Sequence, residues 1–339
     1  MSGHHRPTRA ARRPTQRGLT LVELLVAMAI NLVILIAASY LYLGTRESQR
    51  AIDQTSEANE VGVFALRALG REIVNAGFYP AVSSEGNDNI ISTYSNLTSP
   101  TVAAYNTGIF GCEGADFKVG DDGACNATAG TDAADGLVVG YFTNDAFGET
   151  GGQRKDCNGN DVGTATVNTS RVGTEPATQP PTKPLFVANH YRLGASTAVV
   201  VDGGQSVNVR SLECRGNAAG STDYQKVISN IEDFQVSYGV FSGSDRTVTK
   251  FYTAPDVEKL GTVTIDGKLL SPWARVAAVR ICVMSQTYGV PSRLKDATGA
   301  QRSYQLCNGN SQEQPLIDRS THKTYTQVFG LRNFLNKTY

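Results

Sequence analysis

The chain is poor in groups that do chemistry. Only four of its 339 residues are histidines, and only His190 and His322 lie beyond the N-terminal arm. Both read as strand or loop residues rather than catalytic bases. No His-Glu-x-x-His, Gly-x-Ser-x-Gly or Walker A sequence occurs, so nothing places a hydrolytic metal, an elbow nucleophile or a nucleotide phosphate. No Cys-x-x-Cys pair is present, which removes the usual zinc spacing. The paired carboxylates Asp121-Asp122 stand among glycines and read as turn residues. Neither an enzyme nor a cofactor is expected.

Other absences lie at the N-terminus. No acidic residue precedes Glu23, whereas Arg6, Arg9, Arg12, Arg13 and Arg17 do. No residue from Leu24 to Leu43 is charged, and no proline occurs between Leu19 and Phe78. Twenty uncharged residues in a helix rise about 30 Å, enough to cross a bilayer. A basic head before such a run is a targeting signal and directs the head to the cytoplasm. Glu23 is the odd residue. A carboxylate within a membrane run costs on the order of 2.5–3.5 kcal/mol on insertion scales, and such a group normally has a partner. Cleavage after Gly18 would create one, by freeing an α-amino group on Leu19.

The order of these residues resembles a known superfamily. A basic leader ending in Gly18, then Leu19-Thr20-Leu21-Val22-Glu23 and a long apolar helix, is similar to a type IV prepilin. The resemblance implies cleavage between Gly18 and Leu19 by a prepilin peptidase and N-methylation at Leu19. It implies an assembly role for Glu23, the acidic fifth residue of the mature chain. Leu19 departs from the commoner Phe. Two plainer readings use the same run: a secretory signal cut near Ala37-Ala38-Ser39, and a simple membrane anchor. The run is longer than an ordinary signal's apolar region, and neither reading explains Glu23 directly behind a Gly-ended basic leader.

Formal charge is zero over the chain, but the five leader arginines hide an imbalance. Without them 26 basic residues face 31 acidic ones, a mature chain near −5. No nucleic-acid partner is predicted from that balance. Thirty-four glycines, with abundant Ser, Thr, Asn and Asp, suit a loop-rich β protein. The six cysteines, Cys112, Cys125, Cys157, Cys214, Cys282 and Cys307, all follow the membrane run. An even count in an exported domain reads as disulfides. Six cysteines leave fifteen pairings open; the simplest joins sequence neighbours, Cys112–Cys125, Cys157–Cys214 and Cys282–Cys307. A weak calcium-loop candidate is Asp156, Asn158 and Asn160, oxygen-bearing side chains at alternate positions. It lacks Gly at the sixth place (Asp161) and Glu at the twelfth (Val167), so an Asx-rich turn is the default.

Taken in order, residues 1–18 are leader, 19–43 the membrane half of a helix and 44–79 its amphipathic half. Ala51, Ala58, Val61, Ala65, Ala68, Leu69, Ile73 and Ala76 form a stripe able to lie on a sheet. Gly77 and Pro80 end the helix, and Gly44, Gly62 and Gly70 are candidate bend points. Residues 80–339 read as a β-rich periplasmic domain with irregular, variable segments at 81–134 and 144–183. Strands are expected at 136–142, then at 185–193, 197–202 and 207–214 as antiparallel hairpins. Within 227–241, Phe234, Val236 and Tyr238 share one face, with Gln235 and Ser237 on the other. Residues 242–272 read as an insertion with polar turns. Further strands lie within 273–288 and near 325–333. The fold class is α+β: a long helix packed on an antiparallel sheet, pilin-like.

The C-terminal half adds a second resemblance. Ile231, Phe234, Gln235, Tyr238 and Gly239, then Val279-Arg-Ile-Cys-Val283, then Phe329, Leu331, Arg332 and Asn333 are similar to the PilW family of minor pilins. That implies an assembly subunit of a type IV pilus in the tip or priming complex, with other minor pilins, the major pilin, the peptidase and the inner membrane as partners. It implies a single-pass inner-membrane protein with its C-terminal domain in the periplasm, later at the pilus or cell surface. The alternatives are a minor pseudopilin of a type II secretion system and an uncleaved membrane-anchored adhesin or receptor.

Overall fold

The computed structural model describes residues 20–78, 108–118, 121–127, 130, 133–143, 155–162, 185–201, 205–218, 220–221, 223–265, 268–288, 301–314 and 320–335. The chain divides into two units, Met1–Ala51 and Ile52–Tyr339. Helix α1 runs from Leu21 to Asn75.

In the first unit every side chain from Leu21 to Leu43 is exposed. A predominantly apolar surface of this length is stable only in lipid or against other helices. Two hydroxyls are satisfied within the helix: Ser39 Oγ donates to the Leu35 carbonyl (2.7 Å) and Thr45 Oγ1, just past the stretch, to that of Leu41 (2.8 Å). Tyr40 and Tyr42 mark the end of the apolar stretch, where aromatic rings favour the membrane interface. The Arg46 guanidinium lies 4.9 Å over the Tyr42 ring.

The second unit begins with the amphipathic part of α1. Ala58, Gly62, Ala65, Leu66, Leu69, Gly70 and Ile73 are buried, whereas Ala51 is exposed, so the working stripe starts a turn or two later than the sequence pattern suggests. Strands follow in chain order: β1 Ile109–Cys112, β2 Phe117–Lys118, β3 Asp121–Cys125, β4 Gly136–Thr143, β5 Leu185–Leu193, β6 Thr197–Val201, β7 Gln205–Val209, β8 Ser211–Arg215, β9 Gln225–Ser229, β10 Ile231–Phe241 and β11 Val248–Tyr252. Helix α2 (Ala254–Lys259), β12 Val263–Ile265, β13 Lys268–Leu270 and a 3₁₀ turn at Trp273–Arg275 lead into β14 Val276–Thr287. Short β15 Ser303–Gln305 and β16 Ser311–Glu313 precede β17 Thr321–Gly330 and helix α3 Arg332–Leu335.

Two antiparallel sheets carry the core. One has the order β1-β4-β5-β8-β9 and the other β11-β10-β14-β17. Leu69 and Ile73 of the helix join Ile109, Leu137, Phe234 and Ile281 in one apolar cluster. In β10, Phe234, Val236 and Tyr238 are buried while Gln235 and Ser237 are half-buried, the alternation expected of a sheet with one apolar face.

Five sequence expectations are corrected here. Segment 81–134 is not wholly irregular: β1, β2 and β3 lie in it, and β1 is buried along its length against β4. Asp121 and Asp122 accordingly stand in strand β3. Segment 242–272 supplies β11, a member of the second sheet, as well as α2 and a two-stranded ribbon of β12 and β13. Segments 185–193 and 197–202 do not form a hairpin. Instead β6 and β7 pair with each other as a ribbon, and β5 pairs past it with β8, the Gly194 N–H donating to the Ser211 carbonyl (2.8 Å). Segments 207–214 and 227–241 each split in two, the latter at Asn230, which takes a left-handed φ of 64°.

At Gly62 and Gly70, α1 is continuous, and both glycines face a ring of β17. A Cβ at Gly62 would collide with the Tyr325 ring, and one at Gly70 with the Phe329 ring. The spacings match. Eight helical residues advance about 12 Å, and the four strand residues from Tyr325 to Phe329 advance about 13 Å. The helix therefore runs along β17 with two rings seated where it has no side chains.

Candidate functional site

The N-terminal turn of α1 is built by two side chains. Glu23 Oε2 accepts from the Thr20 N–H (3.0 Å) and from Thr20 Oγ1 (3.1 Å). Thr20 Oγ1 in return accepts the Glu23 N–H (3.3 Å). This is a capping box, in which each residue satisfies a donor that the first helical turn leaves open. The Thr-x-x-Glu spacing before an apolar run announces this cap in the sequence, beside the charge of Glu23. Both contacts of the carboxylate use one oxygen, and Oε1 is left for another donor. Gly18 and Leu19 lie outside the described residues, so the structure places neither side of the expected cleavage.

The other end of the helix is held by the C-terminus of the domain. Gly77 takes a left-handed φ of 66° just past the last turn, the geometry of a helix stop. Asn333 Nδ2 lies within hydrogen-bonding distance of the Val74, Asn75 and Ala76 carbonyls (3.3, 3.2 and 3.2 Å), covering acceptors without an intrahelical partner. Leu331 is fully buried beside it. One face of α1 is also pinned to β14 and β17: Ser285 Oγ donates to the Ala58 carbonyl (3.0 Å), and Asn59 Oδ1 accepts from Lys323 Nζ (2.6 Å) and Tyr325 OH (2.7 Å). The helix notches and the helix cap are thus filled from one short segment, residues 325–333.

The cysteines are bonded Cys112–Cys125, Cys157–Cys214 and Cys282–Cys307. Asp156, Asn158 and Asn160 form an Asx turn. Asp156 Oδ1 accepts the N–H groups of Asn158 and Asn160, each at 3.0 Å. Its other oxygen accepts the Ala218 N–H (3.2 Å) and the Ser221 hydroxyl. Both carboxylate oxygens are thus occupied by protein donors, and the Asn160 amide donates to Ser221 Oγ (2.7 Å). Among the described residues no group of three His, Cys, Asp or Glu side chains is arranged to hold a metal. His190 is buried in β5, its Nδ1 3.2 Å from the Arg215 carbonyl, and His322 lies in β17 with its ring stacked on Tyr304.

Asp135 is a buried carboxylate that sequence reading did not single out. It accepts the Val236 N–H (2.7 Å) and the Gly114 N–H (2.8 Å), tying the β1 region to the central strand β10. Burial pushes its pKa up to about 7, with the negative charges of Glu113 and Asp233 adding to the effect and the two N–H donors opposing it. Burial raises Asp233 as well.

Two family models match these regions. One, for the prokaryotic N-terminal methylation motif, matches residues 13–39, from the basic N-terminal arm into the first turns of α1. The other, for type IV pilus-assembly protein W, matches residues 197–333, from the β6–β7 ribbon to the helix-capping Asn333. The chain is thus similar to the PilW family over residues 197–333 and to the methylation motif over residues 13–39. The matched segment 197–333 contains the whole second sheet, whereas β1 to β5 precede it. Among solved structures, a type IV-like pilin from Thermus thermophilus is similar over 84% of this chain and 98% of its own, at 9% identity and a TM-score of 0.33. No curated protein matches the chain.

Proposed function

We propose that this chain is a minor pilin, a structural and assembly subunit of a type IV pilus that works in the tip or priming complex. The observation that carries the reading is the joint presence of the methylation motif at 13–39 and the PilW domain at 197–333 in one chain. Prepilin peptidase cuts after Gly18, and Leu19 becomes the methylated N-terminus. The apolar helix holds the subunit in the inner membrane, with residues 80–339 in the periplasm, until it is extracted into the fibre. There helix–helix burial with the major pilin and other minor pilins replaces lipid, in a heterologous assembly that does not close on itself.

Glu23 serves twice in this scheme. One oxygen caps its own helix, and the other receives the Leu19 amine of an adjacent subunit. In a low-dielectric core a one-turn slip leaves both charges unpaired, so the contact sets register. The test is the N-terminus of the protein purified from its host. Sequencing and intact mass should give a chain that begins at methylated Leu19; a start at Met1 or near Tyr40 overturns the reading. Glu23→Ala should remain membrane-inserted but enter fibres poorly, and normal piliation would remove the register role.

A further inference from the structure

Strands β1 and β3 and helix α2 enclose a cleft of about 200 Å³. Its deep side is apolar, with Phe110 and Ala254 both buried. The Cys112–Cys125 disulfide forms part of the wall, so the two strands that shape the cleft are covalently joined. Two carboxylates complete the lining: Glu113, half-buried, and Glu258, exposed on α2. Among the described residues no basic side chain lines the cleft. Among the described residues neither Glu113 nor Glu258 has an ion-pair partner. A further acidic residue stands behind them, since the Gly114 N–H is bound to Asp135.

We propose that this cleft is a socket for one basic side chain, an arginine or lysine presented by a partner protein. Size excludes a larger ligand: pockets for drug-sized molecules run from roughly 300 to 1,000 Å³, and this one suits a single long side chain. Chemistry selects the occupant. The aliphatic stem of Lys or Arg covers apolar surface while its charged head stays near polar groups, and here an apolar interior lies beneath two unpaired carboxylates. The disulfide lowers the ordering cost of binding, because the wall exists before the partner arrives. The inference does not depend on the pilin reading.

The experiment uses the full chain in detergent micelles and saturation-transfer NMR with four probes: capped arginine amide, capped lysine amide, capped norleucine amide and 1,4-diaminobutane. Capped arginine and lysine should take up saturation through their side-chain methylenes, and the neutral norleucine compound should not. A partly exposed ion pair is worth up to about fivefold in affinity. E258Q alone should therefore weaken binding by a few fold, and E113Q/E258Q by about tenfold or more. Glu258 is exposed, so E258Q keeps the fold, and an unchanged melting temperature verifies it. Equal binding of norleucine, or unchanged binding by the double variant, would overturn the proposal. Tighter binding of the diamine than of either capped residue would also overturn it, assigning the cleft to a free amine.

Discussion

Gly62→Ala asks whether the helix notch is real. By propensity alone alanine should stabilise a helix interior by about 0.8–1 kcal/mol. The structure opposes this, because the new Cβ would lie inside the space of the Tyr325 ring. That ring is half-buried and held by its hydroxyl to Asn59 (2.7 Å), so it cannot swing away without losing the bond. Forcing a methyl group into a packed site costs typically 1–3 kcal/mol. The net expectation is a loss of about 1 kcal/mol, or about 2 °C in melting temperature for a domain of this size. A thermodynamic cycle isolates the cause. Tyr325→Ala removes the ring, and in that background Gly62→Ala should become neutral or stabilising, a coupling of about 1–2 kcal/mol. The assay is equilibrium unfolding of the oxidised full chain in detergent for the four proteins. If Gly62→Ala stabilises the protein with Tyr325 in place, or if the two changes simply add, the seating of β17 on α1 is wrong.

Three further outcomes follow from the same structure. Asp135 has its pKa near 7 in the fold and near 3.9 in an unfolded chain, so the folded state binds the extra proton between those values. Its contribution favours the fold most below pH 4 and is lost as pH rises through 7, by a few kcal/mol in order of magnitude. Melting temperature should therefore fall between pH 5 and pH 8, and Asp135→Asn should flatten that slope. Asn333→Ala removes a donor from the Val74, Asn75 and Ala76 carbonyls, of which Asn75 keeps the Phe78 N–H (3.1 Å); a loss of about 1–2 kcal/mol is expected, with faster amide exchange in the last turn of α1. The disulfides close loops with sequence separations of 13, 57 and 25 residues. Loop entropy then orders the loss on replacing each pair by serines as Cys157–Cys214, Cys282–Cys307 and Cys112–Cys125, from about 4 down to about 3 kcal/mol. Denaturant midpoints of the three double variants check that order.

What the sequence disclosed depended on how local the cause was. The long helix is written in absences, of charge from Leu24 to Leu43 and of proline up to Phe78. The central strands β10 and β14 show in their own alternation and apolar runs. Strand β1 does not show, because Ile-Phe-Gly-Cys is too short to carry a period; it is a strand because β4 pairs with it and the core covers it. Glycine gave opposite lessons. Gly77 stops the helix where its position suggests. Gly62 and Gly70 read as weak points only because the rings that need their space lie some 260 residues downstream. At the candidate site, Thr20-x-x-Glu23 was legible as a cap. Asp135 was not: a lone Asp in a loop-like stretch gives no sign that two backbone N–H groups converge on it.

One device recurs without any repeat of the fold. The four residues Cys-Asn-Gly-Asn occur at 157–160 and again at 307–310, and the two stretches make the same turn. Asp156 N–H donates to the Asn160 carbonyl (3.0 Å) and Leu306 N–H to that of Asn310 (2.8 Å). Gly159 and Gly309 take φ values of 78° and 88°. Each cysteine is bonded to the middle of a strand, Cys214 in β8 and Cys282 in β14. Those strand cysteines pair with Tyr191 and Gln235, and in both cases the side chain two residues earlier on that partner strand, Asn189 or Asp233, accepts the turn cysteine's N–H (3.0 and 2.7 Å). The order along the chain differs, for the first turn precedes both its strands and the second follows both. A tandem duplication would have kept one order, so common physics is the better account. A disulfide from a turn to a sheet draws a backbone N–H into a part-buried place against the sheet, where an unpaired donor is costly. A short Asx side chain at the adjacent same-face position is the group placed to accept it. Asn189 also donates to Glu72 of α1 (2.8 Å), so in the first sheet the same residue carries the lock through to the helix that the rest of the domain is built on.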